Sequence, residues 1–131
     1  MTSSFKIANA MACEHLVQGQ GNKHTLINTY SGDILVAEFP ARLPIAFYIE
    51  LVPNIFGNIS LSVQLSYGRK LAVEAKAVSV FEEGNVAVVA IPDGLMLFEK
   101  PGVLKVSIRA DGEKSVLALK KEIRLAGPGV F

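Results

Sequence analysis

From Ile59 to Gly68 the chain reads Ile-Ser-Leu-Ser-Val-Gln-Leu-Ser-Tyr-Gly, apolar and polar residues alternating without a miss. A period of two is the mark of a β-strand with one face in a core and the other in water. The same period recurs over residues 43–51 and 104–110, whereas no period of 3.6 persists over three turns anywhere. The chain is therefore expected to be all-β, built from half-buried antiparallel strands.

Turn residues divide it into segments. A first strand is expected over residues 6–17, ending in the turn Gln18-Gly19-Gln20-Gly21-Asn22-Lys23, and a second over residues 24–30, paired with the first. Ser31-Gly32-Asp33 breaks the pattern before Ile34-Leu35-Val36-Ala37. Pro40 and Pro44 are expected to bracket a short crossover, because proline cannot donate to a sheet ladder and restricts the residue before it. Residues 43–52 follow as a central core strand, with Leu43, Ile45, Phe47, Ile49 and Leu51 on one face and Tyr48 and Glu50 on the other.

Residues 59–67 and 71–80 flank Gly68-Arg69-Lys70, a length that suits a tight hairpin with Gly at positive φ. After the turn Glu82-Glu83-Gly84-Asn85, residues 86–91 are apolar on both faces, as in a strand buried inside a sandwich or one lying at an interface. Pro92-Asp93-Gly94 carries the residues of a type I or II turn, and residues 95–98 fit a short strand or a helical turn. Residues 103–110 and 115–125 flank Asp111-Gly112, the strongest two-residue hairpin signal in the chain. In the last arm Lys121 shares the parity of Leu117, Leu119, Ile123 and Leu125. Either a β-bulge near Lys120-Lys121 resets the register or Lys121 lies at a sheet edge. About eight or nine strands at this spacing read as a two-sheet antiparallel β-sandwich, immunoglobulin-like or with Greek-key connections, and a barrel is the alternative.

The 131 residues suit a single domain spanning 1–131, with 126–131 as a flexible tail. Half of the residues are hydrophobic and only 19 % are charged, against roughly 25 % in an average soluble domain. With a mean hydropathy of +0.38, the apolar surplus goes into a two-sheet core or into a patch that buries itself against another copy, so a homo-oligomer is expected. Thirteen Lys and Arg against twelve Asp and Glu, spread along the chain, do not favour nucleic acid, which needs cations gathered on one face. The single cysteine, Cys13, excludes an internal disulfide and points to a reducing, cytoplasmic compartment. The first residues lack the apolar run and cleavage pattern of a signal peptide. Residues 51–68 are uncharged, but they read as a loop and an amphipathic strand, so no membrane association is expected.

His24-Thr25-Leu26-Ile27-Asn28-Thr29-Tyr30, then Ile34 and Phe39-Pro40-Ala41, together with Pro101-Gly102-Val103-Leu104-Lys105-Val106-Ser107-Ile108 and Asp111-Gly112-Glu113, resemble a family of uncharacterised bacterial small β-sandwich proteins. The resemblance spans most of the chain and its motifs are structural. It implies the sandwich fold and a bacterial or phage-related cytoplasmic origin, and no activity.

Cys13-Glu14-His15 is the densest cluster of reactive residue types. In a strand Cys13 and His15 point one way and Glu14 the other. With His24 and Asp33 a zinc site can be drawn, although the spacing matches no strong metal signature. Cys13 with His24 could form a nucleophile and base, with no third group or oxyanion hole to name. The simpler reading makes Cys13 a small core residue and the histidines polar residues at strand ends. There is no Gly-x-Ser-x-Gly elbow, Walker loop or Gly-x-Gly-x-x-Gly, and no cofactor is expected. The aromatics are scattered over strands and loops without interleaved cations, which makes most of them core. Tyr48 on a polar face and Phe56 in a loop are contact candidates. With Val88 and Val89 of the two-faced strand and the terminal Phe131, they form the expected interaction surface. The chain thus reads as a non-catalytic binding or structural module acting through protein-protein contacts and self-association. The alternative is a small metal-dependent or Cys/His enzyme using Cys13, His15 and His24.

Overall fold

The structure, a computed structural model, describes residues 3–21 and 23–127. Among the described residues nine strands form: β1 (Phe5–Gln18), β2 (His24–Thr29), β3 (Ile34–Val36), β4 (Ala41–Pro53), β5 (Gly57–Tyr67), β6 (Lys70–Phe81), β7 (Ala87–Phe98), β8 (Gly102–Ala110) and β9 (Val116–Leu125). They make a β-sandwich of a four-stranded sheet, ordered β2-β1-β4-β7, and a five-stranded sheet, ordered β3-β9-β8-β5-β6. The chain passes between the sheets after β2, β3, β4, β6 and β7. Every pairing is antiparallel except that of β3 with β9, which is parallel from Ile34↔Ile123 to Val36↔Leu125. The all-antiparallel expectation fails there: β3 enters from β2 and leaves to β4, both in the other sheet, so no hairpin ties its direction to that of β9.

Alternation places the core where the sequence pattern predicts it. Leu61, Val63 and Leu65 of β5, Phe47, Ile49 and Leu51 of β4, and Leu104, Val106 and Ile108 of β8 face one another between the sheets. Edge-on rings close the ends of this layer, Phe5 on Phe81 with centroids 6.5 Å apart and Tyr67 on Phe98 at 4.9 Å. Gly102 lies beside this second pair because only a glycine fits there: a Cβ at that position would stand 2.8 Å from the Tyr67 ring.

Four local expectations are corrected. Pro44 does not bound a crossover; it lies inside β4, opposite Leu95. Its carbonyl accepts a hydrogen bond from the Tyr30 hydroxyl at 2.9 Å. In extended chain the nitrogen and carbonyl of one residue face the same side, so the missing N–H faces where β1 has already left β4 and no ladder bond is lost. Pro92-Asp93-Gly94 is not a turn. Ile45 pairs with Gly94 and Phe47 with Ile91, so one extra residue bulges within β7, which continues through residues 95–98 as strand. In β9 the register shifts between Leu119 and Leu117, at Ala118 and not near Lys120-Lys121. Lys121 keeps its inward parity and its ammonium donates to the Tyr30 carbonyl at 2.8 Å. The Asp111-Gly112 hairpin has a longer loop than two residues, with Gly112 at φ 76°, while Gly68 at φ 64° makes the tight β5–β6 turn as expected.

The β8–β9 loop also anchors the start of β1. Buried Ser4 donates through its amide to Glu113 Oε1 at 2.9 Å and through its hydroxyl to Oε2. These hydrogen bonds hold the Glu113 carboxyl below its ordinary value of 4.5. A carboxyl whose pKa is lowered by folding stabilises the fold above its unfolded pKa, and this contribution is lost as pH falls through the folded one. Acidification below pH 4.5 is therefore expected to lower the melting temperature of the parent more than that of Glu113→Gln, as measured by thermal denaturation across pH 3–7.

Candidate functional site

The long strand β1 serves two neighbours in succession. From Phe5 to Cys13 it pairs with β4, ending at Cys13↔Ala46; from Cys13 to Gln18 it pairs only with β2. Its partner in β4 at Met11 is Tyr48, and a straight strand would carry Gln18 and its neighbour His24 about 23 Å beyond that point. The His24 ring instead lies 5.2 Å from the Tyr48 ring. The β1–β2 hairpin therefore bends back over the outer face of the four-stranded sheet. Asn28, at φ 54°, and the bond from the Tyr30 amide to the Ala12 carbonyl at 2.9 Å shape its base.

Under the hairpin tip opens a cleft of about 550 Å³, walled by Gln18 and His24 above, Tyr48, Glu50, Val88 and Ala90 below, and Ser79, Glu82 and Asn85 at its side. The Tyr48 hydroxyl donates to Glu50 Oε2 at 3.0 Å. Burial, followed by that bond and the Glu50 charge, pushes the Tyr48 phenol above its ordinary 10.0. The cleft thus offers the Tyr48 phenol, neutral at pH 7, together with the side chains of His24, Glu50 and Glu82. Such a lining can accept hydrogen bonds from a ligand.

The residues of the enzyme alternative differ in burial and in their neighbours. Cys13 is fully buried beneath the folded hairpin, its thiol donating to the His15 carbonyl at 3.2 Å. His15 is exposed on the hairpin, the His24 ring sits tilted at 59° against the Tyr48 ring, and Asp33 pairs with Arg124 at 3.0 Å. Among the described residues no group of three or more His, Cys, Asp and Glu gathers into a metal-holding cluster. Small residues facing each other on the nominally wet side of the sheet, Cys13 and Ala46, were the one sequence signal for the covering hairpin.

The expected interaction surface is only partly a surface. Phe56 is exposed, with Ile55 beside it in the β4–β5 loop. Tyr48 and Val88 lie half-buried in the cleft, and Val89 packs against the core on the opposite face of β7, because period two sends adjacent valines to opposite sides. Phe131 lies outside the described residues. More apolar area shows on β6 and β7, each twelve residues long and each the terminal strand of its sheet. Leu95 is 70 % exposed, Val78 67 % and Val80 59 %. Among the described residues no helix is long and apolar enough to cross a membrane. No protein-family model matches this chain, and no curated protein does.

Proposed function

We propose that this chain is a non-catalytic binding module that acts through protein-protein contacts, associates with copies of itself and works in a reducing, cytoplasmic setting of a bacterial cell. One observation carries the reading: β6 and β7, the terminal strands of the two sheets, lie on the same side of the sandwich and expose large apolar side chains. Open strand edges are templates for pairing with another chain, and contiguous apolar surface marks contact sites. A single cysteine, buried at Cys13, fits a reducing compartment, and the resemblance to small bacterial β-sandwich proteins supplies the setting. Sedimentation equilibrium at micromolar concentration tests the reading. A mass at a multiple of the 14.1 kDa of one chain is expected, and a single-chain mass at every concentration reached overturns self-association. Stoichiometric zinc in the purified protein, lost in Cys13→Ser with His24→Ala, would favour the metal-enzyme alternative instead.

A further inference from the structure

We propose that the outer edge of β6 pairs with β6 of a second copy, antiparallel and centred on Ala75, so that two five-stranded sheets become continuous. This inference rests on the self-associating reading above and names the surface and register it uses.

β6 pairs with β5 along one side only, from Gly57↔Phe81 to Tyr67↔Lys70. Among the described residues its other side presents a row of backbone groups outside any ladder, regular over residues 73–81; the register shift in the β5–β6 ladder lies beyond Val73. Three protective devices common on edge strands are missing from β6: it is not short, it contains no proline, and over residues 73–81 it points no charge inward. Its inward residues Val73, Ala75 and Ala77 stand opposite Leu65, Val63 and Leu61 of β5, yet they remain exposed, since the facing sheet is one strand narrower. β7, the neighbouring edge, is interrupted by its bulge at Pro92-Asp93, and the hairpin reaches over its outer face at Val88 and Ala90.

Charge selects the register. Glu74 and Lys76 lie on the outer face of β6, either side of Ala75, and both are exposed. A two-fold axis through Ala75, perpendicular to the sheet, keeps the inner faces of both copies on one side. It sets Glu74 against Lys76 of the second copy, and Lys76 against Glu74, while Val73 faces Ala77. Moving the centre by one residue sets Glu74 against Glu74 or Lys76 against Lys76. Opposite charges directly across an antiparallel pair stabilise it and like charges weaken it, so the centre on Ala75 is the favoured one. Lysine on an edge usually discourages pairing; here each Lys76 meets a carboxylate.

The test compares sedimentation of the parent, Glu74→Lys, Lys76→Glu and the double reversal, each checked by circular dichroism for the parent fold. The parent is expected to dimerise, each single reversal to weaken the dimer at least tenfold by setting like charges opposite in both cross-strand pairs, and the double reversal to restore it. Under mild oxidation Ala75→Cys is expected to cross-link, whereas Ala77→Cys should not, because its own copy lies about 13 Å away along the strands, beyond the roughly 7 Å reach of a disulfide. A dimer indifferent to both single reversals, or one in which the Ala77→Cys variant cross-links as readily as the Ala75→Cys variant, overturns the β6 register and leaves self-association standing. A parent that stays a single chain at every concentration overturns both.

Discussion

Replacing Phe47 with alanine is expected to lower the free energy of unfolding by about 3–5 kcal/mol, the cost of removing a buried aromatic ring and leaving part of its volume empty. Phe47 is 1 % exposed and lies mid-way along β4, between Ala12 of β1 and Ile91 of β7 in register, with its ring in the layer shared by both sheets. Domains are stable by roughly 5–15 kcal/mol, so this one change removes a large part of what holds the sandwich together. The check is a guanidinium titration, read as a drop in midpoint with an unchanged slope. Phe56→Ala serves as the control: its ring is 55 % exposed in the β4–β5 loop, and surface changes of this kind usually cost about 0.5 kcal/mol or less. Equal effects at the two positions would mean that β4 does not face the core as described.

The contrast between Phe47 and Phe56 was legible in the sequence, because an unbroken period of two sends Phe47 inward and a run of Pro, Asn and Gly marks the loop that holds Phe56. The same logic yields the strands β4, β5 and β8 and the hairpin at Gly68. It failed where pairing context overrides local residue preference. Pro92-Asp93-Gly94 has the composition of a turn, but a neighbouring strand continues past it, and the extra residue is absorbed as a bulge. Pro44 reads as a strand breaker, yet the side of β4 on which it lacks a donor has no partner strand to miss one. Both decisions depend on what lies next to the residue in the sheet, which is a long-range fact.

The site was less legible still. Val88 and Val89, on the two apolar faces of their strand, both read as contact residues, while the structure divides them between cleft and core. Cys13, His15 and His24 are close in sequence, and the bend of β1 past Cys13 carries them to three separate environments. That bend follows from β1 exchanging β4 for β2 as its partner, and no local period announces it. Edge position, which makes β6 and β7 the candidate contact strands, is likewise a property of strand order. The alternating Glu74 and Lys76 were visible from the start; what they could face was not.

Hydrogen exchange in β6, followed at low and high protein concentration, tests the account most directly. In a single chain the β6 amides of residues 73–81 that point away from β5 meet water, while those pointing toward β5 are held in its ladder. Pairing through β6 seals the outward set. At a total concentration about a hundredfold above the dissociation constant, mass action leaves about 7 % of the chains unpaired and so slows exchange of these amides by about fifteenfold. Strong, concentration-dependent protection is expected in β6 alone, with β7 exchanging at the same rate throughout. Exchange in β6 that is fast and independent of concentration, or protection that falls on β7 instead, would contradict it.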